Sequence, residues 1–181
     1  MNNVFKSAVL ALSLTLGFAA RAEEHAMSTI LGNEIDLKTR DHAFAGSIGD
    51  WLANGSFKHD GFVSKIHLLR GEEVVDAEFS QKDKVIGGTL AHTVDGTLYQ
   101  TTLKFVKAQK DAPQFLFELN GRPFEISVVS DDFKNNHFIN PTYSASINDK
   151  VYSFTLKGEA CYGYSAHLIM MIYGALAHIQ E

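Results

Sequence analysis

Eight histidines and a single cysteine set the limits of the chemistry this chain could carry. None of the histidines forms a His-x-His or His-Glu-x-x-His pair, the spacings that place two imidazoles on one ion from a single strand or helix turn. No metal site and no cofactor is expected. Cys161 excludes an intrachain disulfide and, lying among aromatic and small residues, reads as a small buried hydrophobe. Gly163-Tyr164-Ser165-Ala166-His167 has the outline of a nucleophile elbow but lacks the last glycine, so Ser165 is expected to cap a helix rather than attack a carbonyl. The acidic pairs Glu72-Glu73 and Asp131-Asp132 fall in turns and face solvent. No catalytic residue is expected. His92 is the exception worth following, because the pattern around it aims a titratable ring at an apolar face.

Where His92 points depends on the strand that carries it. Asp95-Gly96 is a two-residue turn signal between alternating apolar residues, which predicts a hairpin. With Val94 opposite Thr97, His92 meets Tyr99, Leu90 meets Thr101, Gly88 meets Leu103 and Ile86 meets Phe105, all on one face. Thr89, Thr93, Gln100, Thr102 and Lys104 fall on the other. Asn120-Gly121 predicts a second hairpin, placing Phe115, Phe117 and Leu119 with Phe124, Ile126 and Val128. Asn148-Asp149 predicts a third, with Tyr143, Ala145 and Ile147 beside Tyr152, Phe154 and Leu156. Arg70-Gly71 predicts a fourth, setting Phe62, Ser64 and Ile66 against Val75, Ala77 and Phe79.

These hairpins predict an all-β, mainly antiparallel meander of about eight strands. Its apolar face must be covered, and curling into an up-and-down β-barrel covers it while removing the exposed edges. A two-sheet β-sandwich is the alternative. A helix over 165–178 follows the last strand and is apolar nearly all round, so it should be buried on more than one side. Packing within the same chain is the default; a homodimer through Met170, Met171 and Tyr173 is the other use of such a helix. The stretch from Glu23 to Asp60 is less regular, with Trp51 as its anchor, and Asn54-Gly55-Ser56 reads as a turn.

Residues 1–22 have the form of a Sec-type signal peptide: Lys6, an apolar run from Ala8 to Ala20, and Ala20-Arg21-Ala22 as the cleavage site. Cleavage after Ala22 would leave 159 of the 181 residues as a single domain, 23–181, in the periplasm or secreted. Losing Lys6 and Arg21 moves the net charge from -5 to -7, which disfavours nucleic acid as a partner. No later apolar run reaches the ~20 residues that span a bilayer.

Gly49-Asp50-Trp51, the meander and the C-terminal helix together resemble the lipocalin and calycin superfamily, and Thr142-Tyr143 matches part of that family's later Thr-Asp-Tyr signature. The resemblance implies a barrel with Trp51 and Gly49 in structural roles at a closed end and a small apolar or amphipathic ligand entering at the other. The expected ligand contacts are His92, Tyr99, Leu103, Phe117 and Tyr152. The alternative expectation is an exported protein-interaction module, an enzyme inhibitor or assembly partner, whose barrel is filled and whose partner sits outside.

Overall fold

The computed structural model describes residues 27–83, 85–109 and 114–180; the expected signal peptide lies outside them. Its strands are β1 (Ser28–Gly32), β2 (Ile35–Arg40), β3 (Ala43–Ile48), β4 (Trp51–Lys58), β5 (Val63–Arg70), β6 (Glu73–Lys82), β7 (Val85–Val94), β8 (Thr97–Gln109), β9 (Gln114–Leu119), β10 (Arg122–Val129), β11 (Asp132–Lys134), β12 (His137–Ile139), β13 (Thr142–Ile147), β14 (Lys150–Leu156) and β15 (Glu159–Cys161). The one helix among the described residues, α1 (Tyr162–His178), follows β15. β1 to β10, β13 and β14 close into one antiparallel barrel, with β14 returning to β1. β11, β12 and β15 form a separate three-stranded sheet. The barrel therefore has twelve strands where the turn signals suggested about eight.

Three predicted hairpins have the expected register: His92 faces Tyr99, Phe117 faces Phe124 and Ala145 faces Tyr152. The fourth differs. Its turn residues are Gly71 and Glu72, so Arg70 pairs with Glu73, Ile66 with Ala77 and Ser64 with Phe79. Gly71, at φ +60, takes the first central position of the turn, which type II′ hairpins reserve for glycine; the pairing slips by two residues, which keeps Ser64, Ile66, Val75, Ala77 and Phe79 inward, while Phe62 falls before β5 and is exposed. The additional strands are β1 to β4, joined by Asn33-Glu34, Asp41-His42 and Gly49-Asp50. Asn54-Gly55-Ser56 lies inside β4 and is not a turn.

Alternation sets the two faces of the wall. Ile35, Leu37, Ile66, Leu68, Val75 and Phe79 point in and are buried, while Asp36, Lys38, Lys65, Asp76, Glu78 and Glu125 point out. An outer-membrane barrel has the opposite pattern, an apolar band outside and polar side chains inside. No helix among the described residues is long and apolar enough to cross a membrane.

The helix runs through the lumen. Fifteen of its 17 residues are buried. Successive helix residues point about 100° apart, and here neighbours reach opposite walls. The Tyr173 hydroxyl donates to the Tyr143 carbonyl of β13 at 2.9 Å and lies 3.0 Å from the Tyr152 carbonyl of β14. At Gly174 a Cβ would fall 2.9 Å from Leu103 of β8 and 3.0 Å from Leu90 of β7. An eight-stranded barrel is just filled by its own side chains, and diameter grows with strand number, so twelve strands leave a bore that a helix ~10 Å across occupies. Met170, Met171 and Tyr173 are completely buried there and are not available as a dimer contact. The helix also starts earlier than expected. Cys161 is its N-cap, with Sγ accepting from the Tyr164 amide at 3.4 Å, and Ser165 sits within the first turns, its hydroxyl 2.6 Å from that of Tyr143.

Candidate functional site

The five expected ligand contacts all lie on the lumen side, and helix residues meet His92, Leu103 and Tyr152 there. Leu103 and Phe117 are fully buried, and Phe117 packs edge-on to Phe105 at 5.4 Å between centroids. Tyr152 is 1% exposed, its hydroxyl bonded to Gln180 just beyond α1, and the Lys150 ammonium stands 4.8 Å over its ring. His92 and Tyr99 are half-buried near one end of the barrel, with rings stacked at 5.2 Å.

What occupies His92 is the end of the helix. Its Nδ1 lies 2.6 Å from Nε2 of His178, and Nδ1 of His178 lies 3.0 Å from the Thr101 hydroxyl. Burial, with His92 adding to it, pushes the His178 imidazole down to about 4, so at neutral pH it is an uncharged relay between Thr101 and His92. Two strands along the wall from His92, Ser64 of β5 bonds Nδ1 of His167 at 2.8 Å, and burial lowers that imidazole to about 4 as well. His167 and His178 were not among the expected contacts. The signal for them was polarity inside an otherwise apolar helix: a histidine buried on a helix needs a partner across the packing seam.

Gly49 and Trp51 hold the same end. Gly49 turns β3 into β4 at φ +60, with Ile179 against it, and Trp51 is 1% exposed with His92 edge-on at 6.2 Å. Arg70 lies 4.5 Å over the indole and is itself held by Glu73 at 2.9 Å and Asp50 at 3.3 Å. The antiparallel barrel with a C-terminal helix is compatible with the calycin-like architecture suggested by the sequence.

The outer wall offers a second candidate surface. Leu52 pairs with Leu69, Leu69 with Val74, and Thr93 with Leu98. Val74 and Thr93 lie two residues beyond the Asp76–Ala91 pair, so one continuous row crosses β4 to β8. Leu52, Val74 and Leu98 are 59%, 44% and 57% exposed. Beside this row lies a groove of about 640 Å³ lined by Asn54, Ser56, Lys65, His67, Asp76 and Glu78. A hydrogen bond, His67–Asp76 at 2.8 Å, and an ion pair, Lys65–Glu78 at 2.9 Å, cross it. An apolar strip bordered by polar, solvent-accessible groups is the anatomy of a protein interface. Compared with known proteins, the chain matches no family model, no curated protein sequence and no solved structure.

Proposed function

We propose that this chain is an exported protein-interaction module that binds a partner protein through its outer wall. The observation that carries the reading is the helix in the lumen, which takes the space a barrel ligand would need. Support comes from the Leu52–Leu69–Val74–Leu98 row, interrupted only by Thr93 on β7, since apolar side chains that line up on a surface mark contact sites more often than scattered ones do. A second reading is favoured by the groove beside the row: a small amphipathic molecule held on the wall between Asn54, Lys65 and His67.

Native mass spectrometry of the protein purified from its own host separates the two. The expected result is a protein-sized mass addition that disappears in a Leu52→Lys, Leu98→Lys double variant and persists in Val129→Lys, a change at an exposed apolar site elsewhere on the barrel. An excess of small-molecule size, lost on denaturation, would replace the first reading with the second. A bare monomer in every sample would remove both.

A further inference from the structure

At the end of the barrel where α1 begins, the fold brings together two histidines that no local spacing pairs. His42 is the second residue of the β2–β3 turn, and His59 opens the β4–β5 loop. Their Nε2 atoms are 3.2 Å apart, with the rings perpendicular and 4.6 Å between centroids. The supports are specific. The Phe57 amide donates to the His42 carbonyl at 2.9 Å, tying the two connections together. The Phe57 ring stands 4.7 Å from His59, and Tyr164 of the helix meets His42 edge-on at 4.8 Å.

The backbone is strained at the same place. Asp41 and His42 have φ of 51° and 61°, and Phe62, which closes the His59 loop, has φ 47°. The turns Asp95-Gly96 and Asn120-Gly121 put glycine in the second left-handed position, whereas Asn148-Asp149, like Asp41-His42, does without it. A bulky residue held left-handed costs of order 1 kcal/mol or more and persists where the surroundings over-determine it.

Two imidazole nitrogens on one tetrahedral ion, each ~2.0–2.1 Å from it, stand about 3.3 Å apart. The His42–His59 separation matches that edge. A hydrogen bond at this distance needs a proton between the two Nε2 atoms, and a cation would take that proton's place. On its other side His42 lines a cavity of about 220 Å³ with Thr39, Arg40, Asp41, Glu159 and Tyr164. No group of three or more His, Cys, Asp or Glu side chains among the described residues could enclose an ion. The site is thus open, unlike the closed four-ligand zinc sites that hold folds together. Nitrogen donors select against magnesium and calcium, which take oxygen.

We propose that His42 and His59 form an open, two-imidazole site for zinc, with water completing the coordination shell. Such a site binds exchangeably and leaves positions free for a donor from another molecule.

The test is calorimetric titration of the purified protein with zinc chloride, together with NMR of the imidazole nitrogens. The expected result is one ion per chain, with the Nε2 resonances of His42 and His59 moving. His42→Asn and His59→Ala should each weaken binding by at least about 100-fold, since losing even an outer-shell partner costs ~10–100-fold. Asparagine is chosen at position 42 because it tolerates the left-handed backbone, and circular dichroism checks that both variants fold. His137→Ala, at the three-stranded sheet, should leave binding unchanged. Absence of zinc binding at millimolar concentration, or unchanged affinity in His42→Asn and His59→Ala, would overturn the proposal.

Discussion

Aspartate at any one of Leu168, Ile169, Met170 or Met171 is expected to prevent the chain from folding. The four are consecutive and all completely buried. At about 100° per residue they sample the whole circumference of the helix. A helix lying on the outside of a barrel keeps one side in water, and at least one of the four would accept a carboxylate there. In the lumen none can. An isolated carboxylate facing apolar walls costs well over ~4 kcal/mol, against a total stability of about 5–15 kcal/mol for a domain. Milder changes should grade accordingly: Ile169→Val by ~0.5–1.5 kcal/mol and Leu168→Ala by ~2–5 kcal/mol. Soluble yield and far-ultraviolet circular dichroism read the aspartate series, and urea midpoints read the mild one. A single aspartate variant with a wild-type midpoint would falsify the threaded arrangement.

The same helix shows what the sequence could and could not convey. Its all-round apolarity announced burial on several sides, but its place depended on how many strands surround it. That number was hidden in residues 28–58. Where turns carry Asp-Gly, Asn-Gly or Asn-Asp, the register could be read pair by pair, as at His92 and Tyr99. The turns at Asn33-Glu34 and Asp41-His42 carry no glycine, and β3 and β4 contain Ala43, Ala45, Gly46, Ser47, Asn54, Gly55 and Ser56, residues of poor strand propensity. Packing explains one of them: a Cβ on Gly55 would fall 2.2 Å from the Phe44 ring, which lies across that backbone. Long-range pairs were hidden for a related reason. His42 with His59, His92 with His178, and Arg70 over Trp51 join residues separated by 17, 86 and 19 positions; the first and last need the registers of β3 with β4 and β4 with β5, and the second needs the helix inside the barrel. The arginine at Trp51 comes from the end of β5. The inner-face residues were legible because alternation fixes which side a strand residue faces. What fills that side is a property of the whole barrel.

Acid should loosen the protein through the histidines that tie the helix to the wall. His167 bonds Ser64 of β5, and His178 bonds Thr101 of β8 and His92 of β7. Burial pushes both helix imidazoles from the ordinary 6.5 down to about 4. Between those values the unfolded chain holds protons that the folded chain excludes, so stability rises with pH and is fully present above 6.5. On lowering the pH to 4, His167 alone removes about 3 kcal/mol at ~1.4 kcal/mol per unit. His178 acts in the same direction, its protonation opposed both by burial and by His92. Exposed ion pairs such as Lys65–Glu78 contribute little to stability, so the fall from pH 6.5 to 5 belongs to the buried histidines. Urea midpoints taken at half-unit steps from pH 7.5 to 4.5 should therefore decline from about pH 6.5 downward. Combining His167→Phe with Ser64→Ala replaces both partners of one buried bond by apolar groups and should flatten the profile without a large loss at pH 7. Midpoints constant down to pH 5 would mean that water reaches these imidazoles. The lost stability falls on the seam between helix and wall at both ends of α1, so the first element released in acid should be the helix that fills the barrel.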